Sequence, residues 1–225
     1  MADEIENSET GLPVTLSKIL ALWEIASVIT SALIAEWVVL AFVGRSKLIT
    51  GIPLILAFAI MLVSHRERDE TLRDIGFRTD NFLAACRVLL LPTALAVTGI
   101  LITAWFMNQT LLAGHFRARF LLLPLWALLQ QYALNGFINR RAQMALGMGA
   151  KSILLVGLAF GVLHLPNPQL ALLTLAGGLI WGWAYQRQPN LFALALSHTI
   201  VSITLALTIS PSLLNSLRVG FKYFG

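Results

Sequence analysis

Charge is what this chain has least of. Asp, Glu, Lys and Arg together make up 12% of its 225 residues, about half the share of a soluble domain. That scarcity excludes a water-solvated globular fold as the main architecture. A single cysteine, Cys86, excludes an internal disulfide framework and a thiolate zinc site, and among apolar neighbours it reads as a small buried hydrophobe. No basic run is long enough to grip nucleic acid; the net charge of +5, spread over short loops, suits anionic headgroups instead. The first sixteen residues hold four acidic groups and no basic one, so they lack the positively charged start of a secretory signal.

What is abundant is apolar. Hydrophobic residues reach 57% and the mean hydropathy is +0.78, in runs without the polar positions that a soluble core helix would carry every third or fourth residue. The expectation is an all-α polytopic bundle of about seven membrane segments. Residues 17–210 form one membrane domain between a polar tail, 1–16, and a short tail, 211–225. The segments read as 18–43, 48–63, 82–107, 119–138, 152–165, 169–185 and 191–209. Gly44-Arg45-Ser46-Lys47 after the first read as loop and interface residues, and residues 64–81 form the most hydrophilic stretch, expected to lie outside the hydrocarbon. Arg140 and Arg141 are expected to cap the fourth segment at a membrane surface. The fifth is too short for a straight span and stops at Pro166, so it is expected to enter only partway. If the segments alternate sides, ten basic residues share a face against six. The positive-inside rule then places the N-terminus in the cytoplasm.

Polar groups in hydrocarbon are costly unless they face a partner or a wet cavity, so they mark where function is sought. Gln130, Gln131 and Asn135 interrupt the fourth segment, and Gln131 and Asn135, four apart, share a helix face. His164 closes the fifth segment. His198 lies in the last one with Ser202 four residues on. Glue between helices is the plain reading for any one of these groups; the set together points to a shared polar site. Glu24 and Glu36 on the first segment are about 18 Å apart along a helix and cannot act as a carboxylate pair.

The order Gln130-Gln131-x-x-x-Asn135, Phe160-x-x-x-His164, His198-x-x-x-Ser202 resembles the CAAX-protease and bacteriocin-processing family of intramembrane endopeptidases. The family carries Glu-Glu-x-x-x-Arg, Phe-x-x-x-His and His-x-x-x-Asn or Asp at these places. The likeness extends over about residues 70–209 and includes Arg73-Asp74-Ile75-Gly76-Phe77, Gly136-Phe137, the Leu165-Pro166-Asn167 turn, Ala176-Gly177-Gly178 and Asn190-Leu191-Phe192. It implies cleavage of peptide bonds in membrane-bound substrates. Gln130 and Gln131 would stand in the base position, His164 would orient water or share proton transfer, and His198 with Ser202 would face the oxyanion.

Glutamine matches glutamate in size but has no useful basicity, so catalysis is expected to be altered or reduced. Asn135 in place of the arginine fits the same change, because a buried cation is costly once its carboxylates are gone. The alternative is a non-catalytic pseudoprotease that binds a peptide, lipid or partner helix. No cofactor is expected, since two histidines are too few for a closed zinc site. The expected partners are membrane lipids and a prenylated or membrane-embedded peptide; the expected location is the cytoplasmic membrane of a bacterium. A transporter would need a coupling-ion site or a repeat, and neither is visible.

Overall fold

A computed structural model describes residues 14–43, 47–109 and 118–225. Residues 1–13 of the expected polar tail and the loop 44–46 lie outside the described residues. The described chain is helical, with no strand. Helix α1 runs from Val14–Leu33 through a π turn, Ile34–Val39, into Leu40–Val43. It is followed by α2 (Lys47–Glu67), the short α3 (Leu72–Ile75) and α4 (Phe82–Phe106). Helix α5 begins at Leu123–Gln131, passes through a second π stretch, Tyr132–Asn139, and ends with Arg140–Leu146. Then come α6 (Ala150–Val162), α7 (Pro168–Arg187) and α8 (Leu191–Thr208). Among the described residues, stretches within α1, α4, α5 and α8 are each long and apolar enough to cross a membrane. The chain is an integral membrane protein.

Local chemistry sets the boundaries. Asn167 and Asn190 cap α7 and α8 by accepting from Leu170 N–H at 3.1 Å and Ala193 N–H at 2.9 Å. Pro168 follows at the first position of α7, where its missing N–H has no cost. Thr71 and Asp74 form a reciprocal capping box on α3. Helix α5 ends at Gly147, whose φ of +80° only glycine adopts freely.

Two expectations about boundaries are corrected. The second segment does not end at Val63, because α2 continues to Glu67 and buries Ser64 and His65. The fourth segment does not stop at Ile138 with arginines at a surface. Helix α5 carries on to Leu146, and Arg141 is fully buried, which its two carboxylate partners described below make tolerable. The short C-terminal tail is packed: Asn167 donates to the Leu214 and Arg218 carbonyls at 2.8 and 3.2 Å, and Gly220 N–H to Leu165 at 2.9 Å.

Helix α6 packs along α7, α8 lies against α4 and α5, and α1 packs on α2 and on the last turns of α5. The α6–α7 contact relies on glycine. A Cβ on Gly178 would stand 2.9 Å from Gly157 Cα and 3.2 Å from Phe160 Cβ. Gly178→Ala is therefore expected to destabilise by about 1–3 kcal/mol, as overpacking does. Gly99→Ala, with nothing within 4 Å of its Cβ, is expected to be neutral or mildly stabilising. Thermal unfolding of the two variants in detergent checks the contrast.

Candidate active site

Four amides on α5, Gln131, Asn135, Asn139 and Gln143, sit at steps of four residues. In a regular α-helix each such step drifts by about 40°, and three steps would carry the last amide well away from the first. The π stretch Tyr132–Asn139 widens the turn and reverses part of that drift. The side chains consequently form a chain of hydrogen bonds. Gln143 Nε2 donates to Asn139 Oδ1 at 3.0 Å, Asn139 Nδ2 to Asn135 Oδ1 at 2.9 Å, and Asn135 Nδ2 to Gln131 Oε1 at 2.7 Å. Gln131 Nε2 then faces His198 Nδ1 at 3.2 Å. Gln131, Asn135 and Asn139 have no exposed surface, so each would be costly without these partners.

His198, on α8, is sandwiched. The Trp181 ring lies 4.4 Å from it at 30°, and the Phe160 edge meets it at 5.9 Å. Trp181 Nε1 donates to Ser197 Oγ at 3.1 Å, which also meets Thr93 Oγ1 at 2.7 Å. This ties the aromatic floor to α4. Phe160 also meets His164, ring to ring at 4.7 Å, and His164 Nδ1 donates to the Phe160 carbonyl at 2.7 Å.

Gln131, Asn135, Phe160 and His198 thus meet, with His164 joined to them through Phe160. Gln130 and Ser202 do not join. Gln130 is half-buried beside the cluster, Ser202 lies a turn beyond His198, and neither makes a side-chain hydrogen bond among the described residues. The hydrogen-bond partners of Gln131, Asn135, Asn139 and His198 are all uncharged. Among the described residues no group of three or more His, Cys, Asp or Glu stands together as a metal site. Asn139 was legible as a further step of the four-residue spacing; Trp181 carried no such signal, since it comes from another helix.

A second polar cluster, unforeseen from the sequence, ties α1, α2 and α5 together. Glu24 pairs with Arg68 at 3.2 Å and with Arg141 at 3.0 Å. Glu70 takes Arg140 Nε at 2.8 Å, Arg141 Nη2 at 2.7 Å and His65 Nδ1 at 2.5 Å. Burial alone would raise the Glu70 carboxyl; the hydrogen bonds from His65 and Arg141 and the charges of Arg141 and Arg140 outweigh it and hold the group well below the usual range. Glu36, the other carboxylate of the first helix, pairs at the surface with Lys222 at 3.5 Å.

A helical membrane bundle that brings a buried histidine, a half-buried one and a row of buried amides together defines a class of intramembrane protein with a polar site among apolar helices. Residues 118–204, which include all three motifs, match the family model described as type II CAAX prenyl endopeptidase Rce1-like. This segment of the chain is similar to that family. No curated protein and no solved structure matches the chain.

Proposed function

We propose that the protein is an intramembrane endopeptidase of reduced rate, in which two neutral histidines replace the carboxylate base. The carrying observation is that the two rings are held in complementary states. Gln131 Nε2–H points at His198 Nδ1, so the remaining proton of a neutral His198 sits on Nε2 as a donor for a developing oxyanion. His164 gives its Nδ1–H to Phe160 O, which leaves Nε2 bare to take a proton from water. A half-buried ring next to a buried one fits the division of labour: His164 is the one of the two that water would reach, while His198 stays in the dry interior where a donor acts most strongly. The substrate class is a prenylated or otherwise membrane-embedded peptide, in the cytoplasmic membrane of a bacterium with the N-terminus in the cytoplasm. No metal or other cofactor takes part in this reading.

Cleavage of a prenylated CAAX peptide by the purified protein in lipid tests the proposal. His164→Ala and His198→Ala are each expected to lower kcat by about 10²-fold or more, the usual worth of a positioned acid–base or oxyanion group. Activity indifferent to both substitutions would remove these residues from the site.

One observation favours the second reading, a pseudoprotease that binds a peptide, lipid or partner helix. The amide chain is hydrogen-bonded at every link from Gln143 to His198 and carries no charge. It is built to be stable rather than reactive. Binding of the same peptide without turnover is the expected result in that case.

A further inference from the structure

The amide chain has a direction, and that direction is fixed far from the site. Asn139 Nδ2 donates to Asn135 and also to the Gly182 carbonyl at 3.1 Å. A carbonyl can only accept, so the Asn139 amide cannot turn over without setting two oxygens against each other. Its Oδ1 accepts from Gln143 Nε2 and from Gln186 Nε2, both at 3.0 Å. Gln186 is pinned in turn. Its Oε1 accepts from the Gly149 backbone N–H at 2.9 Å, and its Nε2 also meets Ser152 Oγ at 2.9 Å. A backbone N–H can only donate. Two backbone groups, on α7 and at the start of α6, therefore fix every amide between them and His198.

From this geometry we propose that Asn139 and Gln186 are positioning residues that set the tautomer of His198. With the pins in place, each amide presents N–H toward the next, and the last link presents N–H to His198 Nδ1, which must then be bare. Reversing any one amide opposes like groups in the buried chain, so the links turn together or not at all. The inference about the tautomer stands on the hydrogen bonds alone; its bearing on peptide cleavage rests on the reading above.

The test uses the full chain in detergent micelles with ¹⁵N-labelled histidine, His198 being assigned by the signal lost in His198→Gln. The ring-nitrogen NMR pattern distinguishes the two tautomers directly. The wild type is expected to show Nε2–H. Gln186→Glu keeps an acceptor for Gly149 N–H but sets an oxygen against Asn139 Oδ1. It is expected to shift the tautomer ratio by about tenfold or more toward Nδ1–H, the change that one buried hydrogen bond is worth. Asn139→Ala removes the pin at Gly182 and is expected to shift the ratio in the same sense. Gln186 is half-buried at the end of α7, so its variant carries the test if Asn139→Ala does not fold. A wild-type signal from Nδ1–H, or an unchanged ratio in folded Gln186→Glu, overturns the proposal. A shifted tautomer with unchanged peptide cleavage upholds it and removes His198 from the catalytic reading instead.

Discussion

Gln131→Glu combined with Asn135→Arg, with Gln130→Glu added to complete the family pattern, is expected to raise cleavage of a prenylated CAAX peptide by about 10²–10⁴-fold, the contribution of a general base. Gln131 already lies 3.2 Å from His198 and accepts from Asn135 at 2.7 Å, so a carboxylate there would have a ring nitrogen on one side and a guanidinium four residues on. Both substitutions are needed. Gln131→Glu alone puts a charge at a position with no exposed surface and no cation beside it, a change that costs several kcal/mol unless the carboxyl stays protonated. Asn135→Arg alone buries the opposite charge with the same result, and adds volume to a filled core. The single variants are therefore expected to express poorly and the combined variant to recover. Gln130 is off the hydrogen-bond chain, so most of the gain should already be present without it. Peptide turnover by matched amounts of folded protein is the measurement. A folded combined variant that cleaves no faster than wild type would mean the bundle does not bring water and substrate to this point, and the binding reading would stand.

Arg141→Met is expected to be the most damaging single change outside the site. The guanidinium is fully buried and bonds Ser64 Oγ at 3.0 Å while pairing with Glu24 and Glu70. Methionine fills most of the space but leaves two carboxylates that have lost a shared cation. Breaking a buried pair in this way costs roughly 3–5 kcal/mol. Glu24 keeps Arg68, and Glu70 keeps Arg140 and His65, which places the expected loss near the lower end, about 3 kcal/mol. The thermal midpoint in detergent should fall by about 6–12 °C on the scale of chains this long. Adding Glu70→Gln to Arg141→Met should recover part of the loss, since the amide no longer needs a cation. A midpoint within about 1 °C of wild type, well inside the shift expected for 1 kcal/mol, would show that the network is electrostatically idle. The consequence reaches the candidate site through α5, because Arg141 and the amide row lie on successive turns of the same helix.

Much of this was present in the chain of residues. Hydropathy alone required helices in lipid, because a run such as residues 88–96 of α4, with Thr93 its one polar side chain, leaves no polar face to turn toward water. The order Gln131, Phe160, His164, His198 could be read because motif spacing is local. The four-residue spacing from Gln131 to Asn135 likewise foretold a shared face.

Tertiary packing decided the rest. Gln130 and Gln131 are neighbours with identical chemistry, and only the rotation of α5 against α8 turns one toward His198 and leaves the other beside the cluster. The π stretch is invisible to a 3.6-residue period, yet it is what aligns Asn139 with Asn135 and brings the pins at Gly182 and Gly149 into play. Arg141 reads as a surface cap because its partners, Glu24 and Glu70, lie far back along the chain, the nearer of them 71 residues away. The sequence by itself determined a helical membrane protein whose polar residues follow the order of a CAAX-protease-like pattern, since solvent preference and residue spacing are properties of short segments. Which side chains meet, which way their hydrogen bonds run and which charges can be buried are properties of contacts between distant segments, and these only the folded bundle decided.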